Sequence, residues 1–193
     1  SRIGNGHVYC SDFISDDEAA AVLMANLDGK PAAEPRPIRF TAGKRKKMWN
    51  RNVIAVGLAS GFLEPLESTS IHLVQAAIDK IINFFPDRGF SQPDVDEFNT
   101  QMDFEYTRIR DFIILHYKLT TRDDSPFWRR CRDMPVPDSL TQRMALYRQH
   151  GRIFREGLEL FTPVGWLQVM HGQGLKPEGY HPLVDVFDES AVL

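Results

Sequence analysis

Two glutamates and a run of hydroxyl-bearing residues lie together in one short segment of the sequence. Residues 61–70 read Gly-Phe-Leu-Glu-Pro-Leu-Glu-Ser-Thr-Ser, which places carboxylates at Glu64 and Glu67 with a stiffening proline between them. A carboxylate held beside a pocket can accept a proton or polarise a substrate. By composition alone, a solvated loop glutamate is the commoner case. The segment therefore offers acid–base groups whose use depends on where the fold places them.

The residues that follow these glutamates are expected to begin a helix. Apolar residues recur at helical spacing from Ser68 onward, and a glycine-bearing loop precedes them. The first backbone N–H groups of a helix have no partners within it, and together with the helix dipole they favour an anion. We therefore expect an anion or an electron-rich ring edge against Ser68, Thr69 and Ser70. The alternative is that Ser68 or Thr69 caps its own helix through its side chain.

Short strands are expected to position this loop. Residues that favour β-structure predict strands over 7–13, 37–40 and 48–56, the last two joined by the basic turn at 44–47. Residues 52–57 are apolar enough to be buried on both faces, which is typical of a central, parallel-type strand. The loop would then join a buried strand to a helix.

Helices are expected both before and after this loop. Ser15 followed by Glu18 is a capping-box pattern, so a helix should begin there and stop at Asp28-Gly29. The helix after Ser68 should bury an apolar stripe made of Ile71, Val74, Ile78, Ile81, Ile82 and Phe85. Further helices are expected from Pro93, from Ser125-Pro126, from Asp138 and around Trp166. A strand-rich first third followed by helices predicts an α+β chain, the end of a larger α/β unit with a helical cap.

Composition and charge limit the kinds of partner. A formal net charge of -3 gives no general attraction to nucleic acid or to a membrane surface, and the basic run at 44–47 is typical of a solvated loop. No apolar stretch of the sequence approaches the length of a membrane span. Cys10 and Cys131 form neither a disulfide framework nor a metal-ligand spacing, so we expect no metal and a cytoplasmic location. Because the chain opens at Ser1 without an initiator Met, we expect it to be truncated.

The segment from Phe62 to Ile71 resembles the Leu-Glu-Pro-Leu-Glu-Ser-Thr segment of the tryptophan halogenases. In that family the segment follows an Asn-Val-(Ile/Val)-Ala-(Val/Ile)-Gly strand, which is matched here at 52–57. Further matches extend the resemblance over nearly the whole chain, at 4–9, 34–36, 110–112, 116–117, 125–128, 165–170 and 180–183. The chain is therefore similar to a flavin-dependent halogenase.

The resemblance implies a fold, a domain organisation and a reaction. Residues 1–67 would form the C-terminal part of a flavoprotein monooxygenase-like domain that binds FAD and halide, with strands and one helix. Residues 68–193 would form a helical subdomain on the substrate side. Reduced FAD from a separate flavin reductase, together with oxygen, would convert chloride or bromide to hypohalous acid. That oxidant would halogenate an electron-rich aromatic substrate.

The resemblance also implies roles for residues of the loop. The backbone amides of Thr69 and Ser70 would bind the halide, although several tryptophan halogenases have glycine at the position of Ser70. Glu67 would be the catalytic glutamate that positions or polarises the arene, and Ser68 would link the substrate pocket to the flavin. The implied flavin contacts in this chain are Gly57, Gly61 and Ser68.

Three aromatic residues near the C-terminus have two interpretations. Phe161, Trp166 and Tyr180 either stack on a planar substrate or pack in the core. The pattern with which family members grip free tryptophan is absent from this region. An indole or another electron-rich arene, free or bound to a carrier, is therefore as good a candidate as tryptophan.

Other motifs of the family would lie upstream of Ser1. These are the Gly-x-Gly-x-x-Gly fingerprint, the catalytic lysine and the Trp-x-Trp-x-Ile-Pro motif, so the chain alone is expected to be inactive. Two other functions remain open at this point. One is a flavin-dependent aromatic monooxygenase that does not use halide, and the other is a helical binding or dimerisation module. A homodimer is compatible with each of these functions.

Overall fold

A computed structural model describes residues 3–64 and 66–187, without the side chain of Glu67. Within these residues the chain forms six α-helices and four two-residue strands. The helices are α1 (Asp16–Ala25), α2 (Thr69–Asn83), α3 (Gln92–Lys118), α4 (Pro126–Asp133), α5 (Asp138–His150) and α6 (Pro163–Gly172). The strands are β1 (Gly43–Lys44), β2 (Trp49–Asn50), β3 (Val53–Ile54) and β4 (Gly61–Phe62). Short 3-10 turns lie at Gly57–Ala59, Leu66–Ser68 and Pro182–Val186. The chain is thus mainly helical with a few short strands, as predicted.

The N-terminal segment confirms the capping box but not the strand before it. Ser15 Oγ accepts from the Glu18 amide at 3.2 Å, and the Ser15 amide donates to the Glu18 carboxylate at 2.8 Å. The strand predicted over 7–13 is wrong, because this segment satisfies its polar groups on α1 instead of on a neighbouring strand. Tyr9, for example, donates its hydroxyl proton to Asp16 at 2.6 Å. The predicted strand over 37–40 is also absent from the described residues.

A tight hairpin replaces the central strand predicted at 52–57. β2 and β3 pair antiparallel with Trp49 opposite Ile54, and Arg51 between them has a left-handed backbone with φ of 57°. Val53 is 63% exposed, so this strand is not buried on both faces. The Asn99 side chain on α3 accepts from the Trp49 amide and donates to the Trp49 carbonyl, both at 2.9 Å. The apolar residues of this segment therefore reflect packing of one face of a hairpin on α3.

α3 is the central element of the helical part and runs through both hydrophobic clusters. The first cluster joins α3 to the β2–β3 hairpin and α2, through Met48, Trp49, Leu73, Ala77, Val95, Phe98, Met102, Tyr106, Ile109 and Ile113. The second joins it to α5 and α6, through Phe112, Leu115, Leu140, Tyr147, Trp166, Met170 and Leu175. The first cluster draws residues from both sides of position 67, and the division of the chain at that position stays a prediction. Among the described residues, no helix has both the length and the apolar composition that a bilayer span requires.

α2 turns a different face toward the core from the one that its apolar residues predict. Its buried side chains are Thr69, Leu73 and Ala77. The predicted core stripe is wrong at four positions, which are 48% to 78% exposed: Ile71, Ile78, Ile82 and Phe85. The reason is that α2 packs on α3 with the face that carries Leu73, which leaves the more apolar face without a partner in the described part of the chain.

A buried ionic cluster fixes α2 against α3. The carboxylate of Glu105 on α3, 7% exposed, lies 3.2 Å from His72 Nε2 and 3.3 Å from Lys80 Nζ, both on α2. Burial of Glu105 opposes its ionisation. The hydrogen bond with His72 and the charge of Lys80 outweigh that effect, so the pKa of Glu105 lies below its ordinary value. The cluster therefore joins α2 to α3 through the Glu105–Lys80 ion pair and the hydrogen bond between Glu105 and His72.

Glu105→Gln is expected to lower the free energy of unfolding at neutral pH by about 2 kcal/mol. Because the pKa of Glu105 is lower in the folded than in the unfolded chain, its stabilisation is complete above the ordinary value of 4.5 and is lost as the pH falls through the folded value. Urea unfolding at a series of pH values measures this loss. Glu97→Gln, at an exposed position of the same helix, should change little. A difference between wild type and Glu105→Gln that stays constant down to low pH would contradict the assignment.

Candidate functional site

The junction between the 3-10 turn Leu66–Ser68 and α2 has an unusual backbone conformation. Ser68, the N-cap residue of α2, has a left-handed backbone with φ of 55°, which is unfavourable for a residue other than glycine. It forms no side-chain capping hydrogen bond. Thr69 is fully buried, and its Oγ1 has no hydrogen-bond partner among the described residues. The expectation that Ser68 or Thr69 caps this helix through its side chain is therefore wrong.

This helix start has the properties of an anion site. The first amides of a 15-residue helix point out of its N-terminal end and carry the positive end of the helix dipole. A buried hydroxyl that has no hydrogen-bond partner lowers the stability of a protein by about 1–3 kcal/mol. The Thr69 hydroxyl is such a group, and it lies at the same helix end as these amides. Such donors favour an anion, and binding of a halide by the amides of Thr69 and Ser70 stays a prediction.

Two tyrosines of α3 hold the loop that precedes this helix start. The Tyr117 hydroxyl donates to the Glu64 carboxylate, while its ring stacks on Trp128 at 5.9 Å between centroids. The Tyr106 hydroxyl lies 2.9 Å from the buried Ser60 Oγ, which itself donates to the Gly57 carbonyl at 2.7 Å. Burial, and then the hydrogen bond with Glu64, raise the pKa of Tyr117 well above its ordinary value, so this hydroxyl stays a donor. Neither tyrosine contact was predicted from the sequence, because no local pattern links residues so far apart in the chain.

Tyr117→Phe is expected to lower the free energy of unfolding by about 1–3 kcal/mol, because Glu64 loses its donor while the ring keeps its stacking contact. Chemical denaturation of the two proteins measures the difference. Tyr180→Phe is the matched control. The Tyr180 hydroxyl donates to Asp185 from a side chain that is 59% exposed, and its removal should change stability by less than about 0.5 kcal/mol. Equal effects of the two substitutions would show that Tyr117 does not hold the loop.

The two glycines predicted to contact the flavin both have structural reasons for being glycine. Gly57 has a positive φ of 62°, which glycine adopts without strain. At Gly61 a Cβ atom would lie 2.7 Å from the Gly43 carbonyl oxygen, so its absence lets β4 pair with β1. A contact of either residue with a flavin stays a prediction.

The three candidate substrate aromatics do not form one surface. Phe161 stacks on Phe112 with ring centroids 3.7 Å apart, and Trp166, 1% exposed, contacts the same ring edge-on at 4.9 Å. The Arg143 guanidinium lies 4.1 Å from the centre of the Trp166 ring. Tyr180 is outside this group of rings and is exposed. Protein contacts thus occupy the rings of Phe161 and Trp166, and stacking of these residues on a substrate stays a prediction.

Two shallow cavities of about 270 and 250 Å³ lie elsewhere in the described part of the chain. The first is beside the β2–β3 hairpin, where Trp49, Arg51 and Phe90 line it. The second is at the end of α4, beside Met134. Residues 66–70 line neither of them. The loop therefore lies outside both cavities, and its place beside a substrate pocket stays a prediction.

Comparison with known proteins gives the family. The family model for tryptophan halogenase matches residues 1–189. The tryptophan 7-halogenase KtzQ of Kutzneria sp. (strain 744) is 34% identical, over 94% of this chain and 37% of its own length.

Among solved structures, a flavin-dependent halogenase from Xanthomonas campestris superimposes with a TM-score of 0.89 at 47% identity, over 94% of this chain and 37% of its own. BrvH, a flavin-dependent halogenase from Brevundimonas sp. BAL3, gives a TM-score of 0.87 at 50% identity, over 93% and 36%. The chain thus spans little more than a third of the length of these relatives. With a family model that covers nearly every residue, and the same fold in two halogenases, the chain belongs to the tryptophan halogenase family.

Proposed function

We propose that the whole protein is a flavin-dependent halogenase that oxidises chloride or bromide and halogenates an electron-rich aromatic compound. One observation carries the proposal. The N-terminus of α2 has no side-chain cap from Ser68, and the buried Thr69 Oγ1 beside it has no partner among the described residues. A halide ion would accept hydrogen bonds from the first amides of the helix. This donor set agrees with the position that the resemblance gives to the halide.

In this proposal, four neighbouring residues, Glu67 to Ser70, have different roles in the reaction. The amides of Thr69 and Ser70 hold the halide and lower its effective charge. Ser68 connects the halide side to the substrate side, and Glu67 orients or polarises the arene and accepts its proton. Gly57, Gly61 and Ser68 are the residues of this chain that would contact the flavin.

Bound reduced FAD would supply two electrons, and the halide supplies two more as it is oxidised. Together these four electrons and the required protons reduce one oxygen molecule to hypohalous acid and water. The arene then takes the halogen from hypohalous acid as the bond between oxygen and halogen breaks, and the hydroxide combines with the proton that the arene releases to give water. The residues of this chain would hold the halide and orient the arene, whereas the dinucleotide fingerprint and the catalytic lysine that the resemblance implies are not found among residues 1–193. We therefore expect the chain alone to be inactive.

The partners follow from the same reaction. A separate flavin reductase in the cytoplasm would deliver reduced FAD. The substrate would be an indole or a related arene, free or bound to a carrier. The relatives include a halogenase named for position 7 of tryptophan, and this position is a property of that relative.

Mass spectrometry of the product, formed with and without added halide, tests the proposal. The whole protein is mixed with a flavin reductase, FAD, a nicotinamide donor, air and indole, with bromide or without added halide. We expect brominated indole, recognised by its isotope pair, in the presence of bromide alone. A hydroxylated product that forms without halide would instead identify an aromatic monooxygenase. Absence of turnover with a panel of indoles and phenols, while the flavin is bound, would contradict both.

A further inference from the structure

A hydrogen bond from Tyr117 holds the Glu64 carboxylate on α3. The ring of Tyr117 is fixed in turn by α4, because it stacks on Trp128 and meets Phe127 edge-on with ring centroids 6.2 Å apart. Burial and the hydrogen bond with Glu64 raise the pKa of Tyr117, so the hydroxyl keeps the proton that it donates. Hydrogen bonds to a charged acceptor are stronger than those between neutral groups. The position of the Glu64 carboxylate is therefore set by α3 and α4.

The start of α2 lies shortly after Glu64 in the chain and has unused donors. Ser68 gives this helix no side-chain cap, and the buried Thr69 hydroxyl has no partner among the described residues. Two extended residues span at most about 7 Å and a three-residue 3-10 turn adds about 6 Å, so the backbones of Glu64 and Thr69 lie within roughly 13 Å of each other. Carboxylates are stabilised at helix N-termini. A Glu64 carboxylate without its present partner would therefore compete for these donors.

We propose that Tyr117 is a positioning residue that keeps the Glu64 carboxylate away from the start of α2 and so leaves the donors of that helix to a halide. The inference rests on the proposed function, because it concerns the same helix start. A carboxylate that reached the amides would occupy them and would also repel an incoming anion. The other carboxylate of the loop, Glu67, already has a proposed role with the arene. Tyr117 thus acts on the halide only through Glu64.

A purely structural role of Tyr117 leads to a different expectation. If its hydrogen bond did no more than stiffen the loop, then loss of either partner would weaken halide binding to the same extent. Tyr117→Phe and Glu64→Ala break the same hydrogen bond, but only Tyr117→Phe leaves a free carboxylate in the loop. The proposal therefore predicts that Tyr117→Phe weakens halide binding and that Glu64→Ala does not. In the double variant, Glu64→Ala should reverse the effect of Tyr117→Phe.

Chloride binding to the whole protein tests this inference without turnover. Broadening of the chloride NMR line, with bromide as competitor, gives the dissociation constant, and Ser70→Pro measures the broadening that comes from other sites. Tyr117→Phe is expected to raise the dissociation constant by about fivefold or more, the factor that corresponds to a typical helix cap. Glu64→Ala and the double variant should stay within about twofold of wild type, because neither has a carboxylate at position 64 that could cap the helix.

Glu64→Asp replaces Tyr117→Phe in this comparison if the latter does not fold. The shorter aspartate side chain draws the carboxylate away from the Tyr117 hydroxyl, while the tyrosine ring keeps its contacts with α4. Glu64→Asp should therefore raise the dissociation constant for chloride by about fivefold, whereas Glu64→Ala should not.

Three outcomes would overturn the inference, and they differ in what they mean for the proposed function. If Tyr117→Phe binds chloride as wild type does while Ser70→Pro binds it more weakly, the inference is wrong and the proposed halide site stands. Equal weakening in Tyr117→Phe and Glu64→Ala would give Tyr117 a structural role only, again without affecting that site. If Ser70→Pro binds chloride as wild type does, the halide lies elsewhere, and both the inference and the proposed halide site are wrong.

Discussion

Glu67→Gln in the whole enzyme is expected to lower kcat by about 100-fold while flavin binding persists, because general acid–base groups contribute roughly that much or more. Glutamine keeps the size of the side chain but can neither accept the proton that the arene releases nor carry the charge that polarises it. The flavin contacts proposed for this chain come from other residues, so the affinity for FAD should be unchanged. Steady-state kinetics with bromide and indole, together with flavin titration, measure the two effects.

Glu97→Gln is a control for the loss of a carboxylate, because this residue is exposed on α3. It should keep the turnover of wild type. If the Glu67→Gln variant keeps the kcat of wild type, Glu67 has no role in the chemical step. A loss of both turnover and flavin would instead indicate that the substitution disturbs the loop and its surroundings.

Ser70→Pro is expected to raise the KM for halide by about tenfold or more, because it removes one N–H donor to an anion, and a hydrogen bond to a charged group contributes about 1.5–3 kcal/mol. The helix itself should survive, since an amide in the first turn has no partner within the helix. The chain already has a proline at the same position of another helix, Pro93, the second residue of α3. KM values for bromide and chloride, at saturating arene and flavin, measure the effect.

Ser70→Gly separates the backbone from the side chain. Glycine keeps the N–H group and removes the hydroxyl, so the KM for halide should stay within about threefold of wild type if the backbone alone binds the ion. The interpretation requires that Ser70→Pro raises the KM and Ser70→Gly does not. Equal increases would assign halide binding to the serine hydroxyl, and no increase in either variant would place the halide elsewhere.

The helices were the predictable part of this fold, because their signals are local. The Ser15 and Glu18 box, the Ser125 cap and the proline near the start of α3 each act within one helical turn, and each is present in the structure. The strands were not predictable to the same degree. Residues 52–57 have the composition of a buried strand, yet a left-handed Arg51 folds them back on β2. Whether such a segment becomes a strand of a sheet depends on neighbours that are distant in sequence.

The face of α2 that is buried also depends on neighbours that are distant in sequence. Apolar periodicity identified the stripe through Ile71 and Ile78 as the core face, since apolar residues at that spacing form one side of a helix. In the structure, the position of α3 and the ionic pairing of Glu105 with Lys80 select a different side. Apolar periodicity therefore could not identify which face of α2 packs on α3, because that choice depends on contacts with a distant helix.

For the candidate site, the sequence by itself determined the loop, the start of α2 and the residues whose amides could meet an anion, because these depend on neighbours in the chain. Only the tertiary structure decided that Ser68 and Thr69 leave that helix start without a side-chain cap, and that Tyr117 holds Glu64 from 53 residues away. The physical reason is the distance along the chain over which each kind of interaction acts. Turns and helix ends are set within a few residues by backbone sterics and local hydrogen bonds. Burial and the pairing of distant polar groups are set by how whole elements pack, and no single segment contains that information.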